Sequence, residues 1–83
     1  MTREEVAGQV GEDALFADGL DDAIIGYVQR GAMKVALYDA EKCIEILITQ
    51  EGMGEEEARE YFDYNVLGSW VGDMTPAFAF IGD

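Results

Sequence analysis

Residues Tyr38 to Gly68, YDAEKCIEILITQEGMGEEEAREYFDYNVLG, constrain the fold most, because they carry start and stop signals for two helices around one short turn. Asp39 can accept the unpaired backbone N–H groups two or three residues on, so a helix is expected to begin there. Ala40, Cys43, Ile44, Leu47 and Ile48 recur at three- and four-residue spacing, with Glu41, Lys42, Glu45, Thr49 and Gln50 on the other side. Gly52 can close this helix in the left-handed conformation. The β-branched run Ile44 to Thr49 would also suit a buried strand, but the caps and the length favour helix.

The second helix is expected from Gly54 as N-cap. Glu55, Glu56 and Glu57 fill its first turn, where unpaired N–H groups favour carboxylates. Ala58, Tyr61, Phe62 and Asn65 mark its inner face, Glu55 stands one turn ahead of Arg59, and Gly68 is the expected stop. Only Gly-Met-Gly joins the two, so the helices should run antiparallel.

Upstream, AIIGYVQ (Ala23 to Gln29) and KVALY (Lys34 to Tyr38) are rich in β-formers and read as a hairpin across Arg30 to Met33. Ile25, Tyr27 and Gln29 would face one way, Ile24, Gly26 and Val28 the other, with a bulge or close backbone contact at Gly26. The rival reading is a helix from Asp21 to Arg30. Leu15 and Phe16 call for burial. Downstream, Pro76 opens AFAFI (Ala77 to Ile81), a third strand added to the hairpin with Phe78 and Phe80 on one face. At the start, Thr2 and Glu5 have capping-box spacing, so residues 1–12 are read as a mobile end or a short helix near Arg3 to Gln9. The expected fold is therefore α+β: a β-hairpin, an antiparallel helix pair and a C-terminal third strand in a small two-layer domain covering residues 1–83.

The acids number 18 against 5 Lys and Arg, a net charge of −13, with no histidine. Phosphate backbones and anionic membranes bind through basic groups, so neither direct nucleic acid nor a membrane is an expected partner. A protein with a basic surface is, because long-range attraction would steer it in. Without histidine, no Ser-His or Cys-His pair can form, which leaves Ser69 and the lone Cys43 as nucleophiles without a base. No catalytic residue and no cofactor is assigned. Asp18, Asp21 and Asp22, with Asp39 as a further ligand, are weak candidates for a hard divalent cation in a cation-binding protein or metal-dependent enzyme, although their spacing matches no EF-hand loop. Single-cysteine usage and the lack of a signal peptide or long apolar run suggest a cytoplasmic protein.

The segments DDAIIG (Asp21 to Gly26), VALYDAEKCIEIL (Val35 to Leu47), GMGEEEAREYFDYNVLGSWVG (Gly52 to Gly72) and TPAF (Thr75 to Phe78) together resemble a family of small proteins carried by phages and some bacteria. The resemblance spans about Asp18 to Phe80 and brings no activity or binding residue with it. It implies an accessory protein acting on a host or phage macromolecule, in the host cytoplasm where the chain is phage-encoded. The leading expectation is a non-catalytic, acidic interaction module that inhibits or modulates a nucleic-acid-binding protein. Its contact residues would be Glu55, Glu56, Glu60, Asp63, Tyr64 and Trp70, with DNA mimicry by the carboxylates as a special case. A structural homodimer hiding Trp70, Phe78 or Phe80 is the remaining reading.

Overall fold

The computed structural model describes residues 1–81, which form α1 (Arg3–Val10), β1 (Ile24–Arg30), β2 (Met33–Asp39), α2 (Ala40–Glu51), α3 (Glu55–Tyr61), a π-helical turn (Phe62–Leu67) and β3 (Ala77–Ala79). This is the α+β arrangement read from the sequence, a hairpin followed by a helix pair and a third strand. The sheet order is β1-β2-β3, with β1 antiparallel to β2 and β3 parallel to it.

The hairpin turns on Gly31 and Ala32 alone, and Gly31 sits at φ 59°. A positive φ at the first loop position lets a two-residue turn follow the twist of its strands. The bulge expected at Gly26 is present: Ile24 pairs with Tyr38 and Gly26 with Leu37, leaving Ile25 without an opposite number. The extra residue corrects the expected facing. Directly paired residues share a face, so Ile24 beside Tyr38 lies on the same side as Tyr27 beside Ala36. Gly26 and Val28 go with Leu37 and Val35 on the other.

The short helix read near Arg3 to Gln9 is present as α1. The Thr2 Oγ1 accepts the Glu5 N–H at 3.2 Å, and the Glu5 carboxylate accepts the Thr2 N–H at 2.9 Å, closing the capping box. Val6 has no exposed surface and joins the main core. Burying that one side chain, with half-buried Val10 a turn later, docks the helix on the hairpin.

α2 begins and ends as its residues dictate. The Asp39 carboxylate accepts the Lys42 N–H at 3.2 Å, and Gly52 takes the left-handed conformation at φ 72°. Ala40, Cys43, Ile44 and Leu47 are buried as expected, Ile48 is half-buried, and Ile46 is buried as well. Its stripe is wider than one face because the helix packs against β2, α3 and the single turn at Asp21–Ala23.

The largest departure lies in the second helix. From Phe62 the backbone widens into the π turn, in which Gly68 donates to the Asp63 carbonyl at 3.0 Å, five residues back. A wider turn changes which residues recur on one side. Ala58, Phe62 and Val66 point inward, while Asn65, within the π turn, and Tyr61, at the edge of the inner face of regular α3, are exposed although both were expected in the core. Gly68 itself is not left-handed (φ −79°). Its lack of a side chain serves packing instead, since a Cβ there would lie 2.9 Å from the Asp63 carbonyl oxygen.

The core closes on an aromatic group. Tyr38 and Phe78 stack at 5.3 Å between ring centroids, and Phe62 meets Phe78 and Phe80 edge-on at 5.4 and 6.3 Å. Phe78 and Phe80 thus share a face, as expected, and β3 is held through its side chains as well as its backbone. The buried Tyr38 hydroxyl accepts the Ala17 N–H at 2.8 Å, which pins the preceding loop across the end of the sheet. Phe16 is half-buried beneath the Arg3 guanidinium, whereas Leu15, also expected inside, is exposed.

Candidate interaction surface

The residues with intrinsic reactivity are not assembled for chemistry. Cys43 is fully buried, and its burial, with Asp39 nearby, pushes the thiol up to about 12, so it stays a neutral apolar group at pH 7. Ser69 is exposed in a chain with no histidine to activate it. Asp18, Asp21 and Asp22 do not converge: Asp21 pairs with Arg3 at 3.2 Å, Asp18 lies on the far side of the Gly19 turn, and Asp39 is committed to the α2 cap. Among the described residues no three Asp, Glu or Cys side chains come close enough to share a cation.

The expected contact residues are all exposed. Glu56, Glu60 and Asp63 follow each other at four- and three-residue spacing along α3 and into the π turn, and so form one ridge. Glu55 stands apart from it, because its carboxylate is 3.6 Å from Arg59. Arg59 also forks onto Glu41 at 3.0 and 3.2 Å, tying α3 back to the first turn of α2. That pairing holds the guanidinium charged and raises its pKa.

Every cation of the chain is engaged by the chain itself. Arg3 binds Asp21, Lys42 binds Glu45 at 3.5 Å, and Arg59 binds Glu41 and Glu55. Lys34 lies over the Tyr27 ring at 5.8 Å, and Arg30 lies over the Trp70 ring at 4.8 Å while donating to the Asp73 carbonyl at 2.7 Å. The ridge acids have no ion-pair partner among the described residues. Their field therefore projects outward unneutralised.

The two aromatic candidates are placed differently. Tyr64, beside Asp63 on the ridge, is 81% exposed, whereas Trp70 is 65% exposed with one face of its ring under Arg30. Phe78, one of the proposed dimer residues, is half-buried against the Tyr38 and Phe62 rings.

A feature with no sequence-level signal lies on the other side of α3. A cleft of about 760 Å³ runs between the loop Leu15 to Leu20, the end of α2, the π turn and the loop Ser69 to Pro76. The Tyr61 ring at the end of α3 and the Asn65 amide in the π turn form part of its wall. The Ser69 to Pro76 loop is braced by buried Thr75, whose hydroxyl accepts the Val71 N–H at 2.8 Å and donates to the Gly72 carbonyl at 2.6 Å. The spacing of Tyr61 and Asn65 had pointed to the core; for Asn65 the five-residue backbone bond at Gly68 marks the change.

Among the described residues no helix is long and apolar enough to cross a membrane. In comparisons with known proteins, the chain matches no protein-family model, no curated protein and no solved structure.

Proposed function

We propose that this protein is a non-catalytic interaction module whose acidic ridge, Glu56, Glu60 and Asp63 with Tyr64 at its end, docks on the basic surface of another protein. The observation that supports this reading most is the internal engagement of all five Lys and Arg side chains beside a ridge left unpaired, which leaves three carboxylates un-neutralised on one exposed helix face of a chain of net charge −13. Such a face raises the encounter rate with a cationic partner, and its effect shrinks as salt shortens the Debye length to about 10 Å at 0.1 M.

A nucleic-acid-binding protein is the natural partner class, since it already displays a basic surface. The resemblance to small phage-borne proteins fits an inhibitor or modulator of such a target in a host cell. DNA mimicry in the narrow sense is less well supported. Glu56 to Asp63 spans about 10 Å of helix axis, or one ridge carboxylate per about 5 Å, against one phosphate of each strand per about 3.4 Å of DNA helix axis. The ridge is thus an anionic docking face rather than a copy of the phosphate lattice. A homodimer is opposed by the mutual repulsion of two −13 chains.

The test is a titration against basic DNA-binding proteins at rising salt, comparing the native chain with the triple substitution Glu56→Gln, Glu60→Gln, Asp63→Asn. Affinity is expected to fall with salt and with the substitutions. Binding indifferent to both would sink the reading.

A further inference from the structure

The cleft and the ridge are two sides of one helix: Glu60 belongs to the ridge, and the next residue, Tyr61, lines the cleft. We propose that the cleft receives bulky apolar side chains from a basic segment of the partner protein, while the ridge holds that segment's lysines and arginines. The inference rests on the reading above and names the chemistry of the partner's contacting segment.

Three observations carry it. The first is size and lining: at about 760 Å³ the cleft lies within the range of ligand sites, ~300–1,000 Å³, and its walls include Phe16, Leu47, Val66 and Phe78. The second is apolar surface left in water at its mouth, where Leu15, Tyr61 and Val71 are 39, 42 and 62% exposed. The third is charge. Asp18 and Glu51 are the ionised groups of the lining, and no Lys or Arg is among them. An anionic occupant, a second copy of this chain included, would meet only repulsion there, whereas a segment alternating apolar and basic residues satisfies both parts of the surface. The π turn fits this use, since such turns recur at functional sites and this one carries Asn65 on the cleft wall, next to Tyr61 at the end of α3.

Two synthetic helical peptides of identical lysine and leucine content provide the test. One has its leucines at i, i+3, i+4 and i+7 spacing, the other has them scrambled. Calorimetric titration is expected to show the patterned peptide binding roughly tenfold or more tightly, the gain from sheltering one or two apolar side chains. Methyl resonances of Leu47 and Val66 should shift on binding, while those of Val28 and Val35, on the other face of the sheet, should not. Asn65→Trp fills the cleft from an exposed position and should abolish the preference for the patterned peptide. Ser69→Trp serves the same purpose if Asn65→Trp does not fold. Equal affinity for both peptides, or a preference that survives the filled cleft, overturns the inference. The ridge reading fails separately, if the scrambled peptide shows no salt-sensitive binding.

Discussion

The same substitution, glycine to alanine, should act in opposite directions at two helical positions of this protein. Gly8 lies inside α1, and a Cβ there would meet nothing within 4 Å. Alanine should stabilise by about 0.5–1 kcal/mol, through the lower backbone entropy of the unfolded chain and better helix propensity. At Gly68, φ is −79°, which alanine adopts freely, so propensity alone predicts the same gain. The structure predicts a loss, because the added Cβ falls 2.9 Å from the Asp63 carbonyl oxygen, the atom that accepts the Gly68 N–H at 3.0 Å. Relieving that contact lengthens the hydrogen bond or unwinds the π turn, and overpacking of this kind costs about 1–3 kcal/mol. With the propensity gain offset, Gly68→Ala should be destabilising by about 1–2 kcal/mol, a fall in Tm of roughly 4–15 °C for a domain of this size. Urea unfolding followed by circular dichroism and by the single tryptophan, Trp70, measures both variants, with the slope m expected unchanged. If Gly68→Ala raises Tm as Gly8→Ala does, the helix runs on regularly to Gly68. Asn65 then turns inward and the cleft loses part of a wall.

Other outcomes follow from single contacts. Phe62→Ala removes a fully buried ring that meets both Phe78 and Phe80, and should cost about 3–5 kcal/mol in chemical unfolding; a loss below about 1 kcal/mol would contradict its central place. Asp39→Ala removes the α2 cap and should cost about 1 kcal/mol by the same assay. Cys43 should resist thiol reagents until the chain unfolds. Its thiol is held protonated in the folded state up to about 12, against an ordinary value of 9.0, so above pH 9 the folded chain binds the extra proton and stability falls as pH rises. Buried Tyr38, also pushed up by burial, adds to the loss above its ordinary 10.0, and Cys43→Ala should delay the onset seen in a pH series of melts. Sodium chloride should raise Tm at neutral pH by screening repulsion within a chain of net charge −13, and a Tm that drops with salt would count against that field.

What could be read from the residues was whatever local chemistry decides. Asp39, Gly52, Gly54 and the Thr2–Glu5 pair mark helix ends through bonds or φ values within a few residues of themselves, and all four lie where they were expected. The bulge at Gly26 was also legible, but its effect on facing was not, because that depends on where β2 pairs. The π turn has no side-chain signature, since a five-residue backbone bond forms from the same residues as a four-residue one. Gly68 was the clue, and its meaning came from the carbonyl it must accommodate. The direction of β3 is set by the path of two helices and not by AFAFI itself. For the candidate surface, the ridge follows from helical spacing and was foreseen. The cleft depends on three segments distant in sequence and on the π turn, so no spacing rule could find it.

The parallel pairing of β3 with β2 has a kinetic side. Leu37 lies opposite Ala77, so the sheet's second seam joins residues 40 positions apart, while the hairpin seam needs only Gly31 and Ala32 to close. Closing the longer loop costs more chain entropy, and the intervening helices must already be docked for the strand to find its place. The outer strand should therefore be the last to zip up and the first to detach. Native-state hydrogen exchange would register it as the earliest-opening part of the sheet, and the wall that Phe78 gives the cleft would come and go with it.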